Sequence, residues 1–269
     1  MADTAGTADA LLVATLNLRN IADRWTERLP LLLADMAALQ PDLIGVQECV
    51  FAVQQDRILG AAGEGTYAAR RGWAGRPEYG NAILGKSPLE LGAGERLDLG
   101  RNRSALRVPV TLTSGQSLHF VVTHLHHLPP DEAIREEQAI QLTEWLRPDA
   151  HALVVVGDFN AEPDSDEIRY LRGYHSRLGR SVYFADCFAA AGDGSPGYTY
   201  ARENPFALRA HEPNRRLDYI FARGPDRALR GEPLSARRCF TVAENGVFPS
   251  DHYGVFAEIQ AAPRKLDPL

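Results

Sequence analysis

Leu153-Val154-Val155-Val156-Gly157-Asp158-Phe159-Asn160 is the stretch on which the fold turns. Four apolar, mostly β-branched residues in succession read as a buried strand. Gly157 lets the chain turn sharply, so that Asp158 and Asn160 emerge at the carboxyl end of that strand. Ligands of open α/β sheets bind at this end, which makes a carboxylate and a carboxamide there candidate chemistry. A Gly-Asp pair is also ordinary turn chemistry, so the reading depends on how many other strands end in the same way.

Upstream, residues 11–16 read as a strand with Asn17 at its end. Leu29, Leu32, Leu33, Met36 and Leu39 recur at helical spacing, and Pro41 stops that helix before a strand at 43–46 that delivers Gln47 and Glu48. Such a βαβ unit predicts two parallel strands joined by a right-handed crossover. A short helix near 51–59 leads into residues 60–79, rich in Gly and Arg and expected to form a mobile loop near the site. From Asn81 the pattern changes to short runs bounded by turns, at 82–84, 89–97, 105–112 and 118–123. Strand after strand without helices predicts an antiparallel meander, ending in Thr123-His124-Leu125-His126-His127. A helix over 130–146 returns the chain to the central strand.

Downstream, helices near 164–171 and 184–191, a Gly/Pro-rich turn at 192–197 and an Arg-bearing loop precede a strand at 217–221. A further strand covers 234–242, and Ser250-Asp251-His252 stands just before a final strand at 254–259. Two halves that each alternate helices with strands predict an α/β fold of two sheets packed face to face with helices outside. We expect a disordered start at 1–10 and one domain over 11–262.

Composition bounds the function. With 269 residues, 45% of them hydrophobic and 24% charged, the chain can bury a substantial core. The 29 Lys and Arg are outnumbered by 35 Asp and Glu, for a formal charge of −6. That balance argues against a non-specific nucleic-acid binder with a basic face. Cys49, Cys187 and Cys239 are widely spaced, which indicates neither a disulfide framework nor a zinc site and fits a reducing, cytoplasmic compartment. No run approaches a membrane span.

Asn17, Glu48, His124, Asp158, Asn160, Asp218, Asp251 and His252 all fall at or beside predicted strand ends. Oxygen-dominated sets of this kind select Mg²⁺ or Mn²⁺, and Glu48 and Asp251, supplemented by Asn17, suit a small-ion site. Burying so many carboxylates without a cation would be costly. Taken singly the residues have blander readings: Asp218 could be a strand-end acid paired with Arg216, and His126 and His127 rim residues.

Together they resemble the endonuclease/exonuclease/phosphatase superfamily of deoxyribonuclease I-like metal-dependent phosphoesterases. The matching stretches are Thr15-Leu16-Asn17, Gly45-Val46-Gln47-Glu48, Gly80-Asn81-Ala82-Ile83-Leu84, Val122-Thr123-His124-Leu125, Gly157-Asp158-Phe159-Asn160, Arg216-Leu217-Asp218-Tyr219-Ile220 and Ser250-Asp251-His252. They occur in family order over almost the whole chain. The resemblance implies a four-layered α/β sandwich with two mixed sheets. It also implies Glu48 as principal metal carboxylate with Asn17 and Asp251 nearby, and Asp158 orienting or deprotonating the attacking water. Asn160 would hold that water or the phosphate. His252 would meet the phosphate, oriented by Asp218, and His124 would donate to a phosphate oxygen or the leaving group. Asn81 and Arg107 are added as substrate contacts, Arg103 with less weight.

One departure stands out. Some family nucleases carry an acid two positions after the first-strand Asn, where this chain has Arg19. The expected activity is Mg²⁺- or Mn²⁺-dependent hydrolysis of a phosphate mono- or diester of a small molecule or phospholipid head group. A DNA or RNA nuclease using the same site is the alternative, with Arg70, Arg71, Trp73 and Arg76 as its platform. An inactive binding module on this fold is the remaining class.

Overall fold

The computed structural model describes residues 10–147 and 152–264. The first half runs β1 (Ala10–Asn17), α1 (Trp25–Leu39), β2 (Leu43–Val50), α2 (Gln55–Ala62), β3 (Tyr67–Ala74), β4 (Arg76–Lys86), β5 (Glu90–Leu91), β6 (Glu95–Gly100), β7 (Arg103–Thr111) and β8 (Ser117–His124). The second half runs α3 (Glu132–Leu146), β9 (Ala152–Asp158), α4 (Asp166–Leu171), β10 (Ala185–Asp186), α5 (Cys187–Ala191), α6 (Pro205–Leu208), β11 (Asp218–Arg223), β12 (Pro233–Cys239) and β13 (Gly254–Gln260). One sheet has the order β12-β13-β1-β2-β4-β3; the other has β10-β11-β9-β8-β7-β5, with β6 paired to β7. Each contains one parallel pair, β1 with β2 and β8 with β9, and is otherwise antiparallel.

Strand parity explains the layering, because successive side chains point to opposite faces. Leu11 and Val13 of β1 meet Phe120 and Val122 of β8, Val154 and Val156 of β9 and Ile220 of β11 in one apolar cluster between the sheets. Ala14 and Leu16, of the other parity, pack on Leu32 and Met36 of α1. Leu153 and Val155 pack on Leu142 and Leu146 of α3. The run of Leu and Val in β9 is therefore unbroken because both of its faces are covered. At Gly45 the sheets approach closely, since a Cβ there would lie 2.4 Å from Val156 Cγ2.

Three expectations change. Residues 60–79 are not a loop: β3 and β4 form an antiparallel hairpin at the edge of the first sheet. Arg70 and Arg71 gave the stretch its loop-like composition, yet charged side chains are common on edge strands, where they discourage further pairing. The meander is divided, with β4 in the first sheet and β5 to β8 in the second. Ala10, placed in the disordered start, opens β1 against Gln260; residues 1–9 lie outside the described residues. No described helix is long and apolar enough to cross a membrane.

Candidate active site

Where the inter-sheet core reaches the carboxyl ends of the parallel strands, its parity continues with polar residues. Val154 and Val156 are followed by Asp158, Phe120 and Val122 by His124, and Val13 by Thr15 and Asn17. In β11, Asp218 precedes Ile220 on the same face. Register aligns them: His124 and Asp218 are both the direct partners of Asp158 across the ladder. Gly157 permits this. Its φ of 149° and the 2.0 Å that would separate a Cβ from Thr123 O exclude any other residue. It acts within the strand, through close backbone approach, rather than by a sharp turn.

Asp158 Oδ2 is the point of convergence. It accepts from Asn17 Nδ2 at 3.0 Å, and His124 Nε2 and His252 Nε2 face it at 3.5 and 3.8 Å. Oδ1 accepts from the Asn160 backbone N–H at 2.9 Å, closing an Asx turn in which Asn160 takes a φ of 51° and donates Nδ2 to Leu125 O. Burial, reinforced by Asp218, pushes the Asp158 carboxyl up to about 7, against the lowering by His252 and the hydrogen bonds from Asn17 and Asn160.

Proton placement follows from the partners. His252 Nδ1 lies 2.8 Å from Asp218 Oδ2 and carries the hydrogen of that bond. Its Nε2 faces a second carboxylate, which favours a proton there too. Burial alone would lower this imidazole, but Asp218, Asp158 and Asp251 outweigh it and hold it well above the ordinary histidine value. His124 is the opposite case. Arg103 Nη1, which can only donate, lies 3.2 Å from His124 Nδ1, so the lone pair is at Nδ1 and the hydrogen at Nε2, facing Asp158. Burial first, then Arg103, holds His124 well below the ordinary value. Two imidazoles on one carboxylate thus have different charges. Arg216 does not compete for Asp218: it makes a two-bond pair with Asp186 at 2.9 and 2.8 Å.

Glu48 reaches the site through an irregularity. The ladder of β2 with β4 shifts register between Val46 and Cys49, and Glu48 takes a φ of 53°, unusual for a non-glycine residue. The shift turns the side chain into a cleft it shares with Asn81, Arg103, Ser104 and His124. One carboxylate oxygen accepts from Asn20 Nδ2 at 3.0 Å; the other makes no hydrogen bond among the described residues. An open carboxylate oxygen in a cleft of oxygen and nitrogen donors fits a hard divalent ion. Asn20 is fixed in turn by Gln54 Nε2 and Arg28 Nη2, both on its carbonyl. Arg28 is fully buried and has no carboxylate partner among the described residues. It donates instead to the carbonyls of Leu18, Asn20, Ala22, Asp23 and Pro249 at 2.6 to 3.0 Å.

The other sequence-derived candidates divide. Asp251 is at the site but is held by the Arg19 guanidinium, and the neighbouring Ser250 hydroxyl donates to Asn17 O at 2.6 Å. Asn81 is buried and donates to Ser104 O at 2.7 Å, tying the two sheets together at the cleft floor. Arg107 is not brought to the site. Its strand parity puts it on the outer face, paired with Glu95 and stacked over Trp145 at 4.5 Å. Arg103, at the start of the same strand, takes the position expected of it. Sequence reasoning missed Arg28, Asn20 and Tyr200, whose ring packs edge-on against His252 at 5.1 Å between centroids. An arginine on the apolar stripe of α1 was the available signal for Arg28; nothing local marked Tyr200.

The family model described as Endonuclease/Exonuclease/phosphatase family matches residues 14–252. No curated protein matches the chain by sequence. Among solved structures, TDP2 of D. rerio humanised by 14 mutations is similar at 17% identity and TM-score 0.75, covering 95% of this chain and 100% of that one. Truncated TDP2 of Caenorhabditis elegans is similar at 18% identity and TM-score 0.74, over 94% and 98% of the two chains. The human Nocturnin catalytic domain with bound sulfate is similar at 22% identity and TM-score 0.74, over 94% and 93%. At these identities the likeness establishes the four-layered fold.

Proposed function

The chain belongs to the endonuclease/exonuclease/phosphatase family of metal-dependent phosphoric ester hydrolases, and on that premise we propose that it hydrolyses a phosphate mono- or diester of a small molecule or phospholipid head group. The observation that carries the reaction type is the convergence of Asn17, His124 and His252 on one oxygen of Asp158. Asp158, raised toward neutrality, accepts the proton of the attacking water; a base poised near the operating pH contributes roughly 10²- to 10⁴-fold. His252, charged and steered by Asp218, meets a phosphate oxygen. His124, neutral with its hydrogen at Nε2, donates to a second one or to the leaving group. Asn160 and Asn17 fix the carboxylate they flank. Glu48 holds the Mg²⁺ or Mn²⁺, which when bound offsets the charge that builds on the phosphate oxygens.

The preference for a small or lipid-borne ester rests on where the arginines of the β3–β4 hairpin are spent. Arg70 donates to the carbonyls of Gly92 and Leu91, Arg71 pairs with Asp56, and Arg76 pairs with Glu78. Those donors are already engaged within the chain, which makes the hairpin a poorer match for a phosphate backbone. One observation favours a nucleic acid: Trp73 is 44% exposed, with the Arg96 guanidinium 3.7 Å from its ring centroid, a stacking surface for a base. TDP2 of D. rerio has been seen complexed with single strand DNA product.

Hydrolysis of bis-p-nitrophenyl phosphate, p-nitrophenyl phosphate, sphingomyelin, and supercoiled and single-stranded DNA, each with Mg²⁺, Mn²⁺ or EDTA and beside His252→Ala, decides between them. Metal-dependent turnover of the small esters or lipid without DNA cleavage is the expected result. DNA cleavage that His252→Ala abolishes would replace it with the nuclease reading.

A further inference from the structure

Glu48 and Asp251 differ in what holds their carboxylates. Glu48 is approached by a neutral carboxamide and keeps an oxygen open. Asp251 is approached by a guanidinium: Arg19 Nη1 donates to Asp251 Oδ2 while Nη2 pairs with Asp23. The same residue also occupies the oxygen of Asn17, since the Arg19 backbone N–H donates to Asn17 Oδ1 at 2.9 Å. Of the three oxygen ligands expected from sequence, Arg19 therefore engages two.

Arg19 is held where it is. Its guanidinium lies 5.3 Å from the centroid of the buried Phe206 ring, a favourable cation–π arrangement. Its loop contains a cluster of left-handed residues, with φ of 53° at Arg19, 38° at Asn20, 34° at Asp23 and 51° at Arg24. These turn the loop carbonyls inward onto the buried Arg28. Swinging Arg19 away would leave Asp251, 9% exposed, without its ion-pair partner, and separating a largely buried pair is unfavourable.

We propose that Arg19 is a built-in cation that takes the place of a second divalent ion at Asp251, leaving Glu48 as the anchoring carboxylate of a single-ion site. The proposal rests on the phosphoesterase reading above and adds to it which of the two carboxylates can be loaded. A divalent ion at Asp251 would have to displace a guanidinium that makes two ion pairs and a ring contact. An ion at Glu48 displaces nothing charged. Arg19 then acts as a positioning residue: it fixes Asp251 and, through its backbone, turns the Asn17 amide toward Asp158.

Metal stoichiometry tests this without recourse to turnover. Calorimetric titration with Mn²⁺, checked by equilibrium dialysis, is expected to give one tight ion per chain in wild type, lost in Glu48→Gln. Arg19→Ala frees Asp251 and is expected to bind a second ion, which Arg19→Ala combined with Asp251→Asn loses again. Arg19→Lys keeps the cation and stays at one. Arg19→Gln, close in shape to arginine, repeats the gain should the alanine variant fail to give a folded circular dichroism spectrum. Two ions in wild type, with one lost in Asp251→Asn, would overturn the proposal. A single ion in both Arg19→Ala and Arg19→Gln would overturn the role of Arg19 alone and leave the phosphoesterase reading standing. No ion in wild type would overturn both.

Discussion

Glu48 and Asp251 are both carboxylates at strand ends beside the site, and both follow from sequence as metal ligands, yet their surroundings give them opposite characters. Glu48 is brought in by a register shift and a left-handed backbone, and the only hydrogen bond to its carboxylate among the described residues comes from a neutral amide. Asp251 lies in a bend before β13 and is paired with a guanidinium. Residue type alone does not make a ligand; what decides is whether an internal cation has already neutralised the group.

The predictions test this contrast, beginning with the residue both sides serve. Asp158→Asn keeps the Asn17 contact but removes the base, and kcat is expected to fall by about 10³-fold with the circular dichroism spectrum unchanged; activity near wild type would refute its assignment. Next, Glu48→Gln and Asp251→Asn should separate. The first is expected to raise the half-saturating Mg²⁺ by more than the roughly 10- to 100-fold typical of losing a ligand's supporting partner, the second by less than about 10-fold. Equal shifts would erase the contrast between the two carboxylates.

Asn20→Ala leaves Glu48 in place but removes its orienting donor. The expected rise in half-saturating Mg²⁺ is about 10-fold or more, at a cost in stability of about 2 kcal/mol for the two side-chain hydrogen bonds lost, to Glu48 and from the Ala22 N–H. A metal titration matching wild type would show that the register shift alone aims Glu48. The smallest effect belongs to Arg107→Ala. The residue pairs with a largely exposed Glu95 on the outer face, a contact worth under about 1 kcal/mol, so kcat/KM should stay within about twofold. Arg103→Ala on the same strand releases the Nδ1 lone pair of His124 and should lower it clearly; the reverse ranking would mean that the outer face contributes to the site.

Much of this arrangement is legible in the amino-acid sequence because strand parity is local. A run of apolar residues that ends in Asp, His or Asn at core parity marks both the strand and the polar end of the inter-sheet space, and Asn17, His124 and Asp158 are legible in that way. The hairpin of β3 and β4 was not legible, because an edge strand carries charges where alternation would otherwise show. Arg103 and Arg107 share one face of their strand, so parity cannot separate them: residue 107 faces Trp145 of α3, while residue 103, at the strand's start, lies beside His124.

By itself, then, the sequence determined the βαβ units, the two-sheet α/β fold, the family, and the set of polar residues at the strand ends. These follow from periodicity and chain order, which short-range sterics and burial impose. Only the tertiary structure decided how that set is divided. Arg19 and Asp251 lie 232 positions apart, and no local pattern predicts that one neutralises the other. The aim of Glu48, the differing protonation of His124 and His252, and the capture of Asp251 depend on which groups the packed layers bring within about 4 Å, where a buried charge finds its partner or goes without.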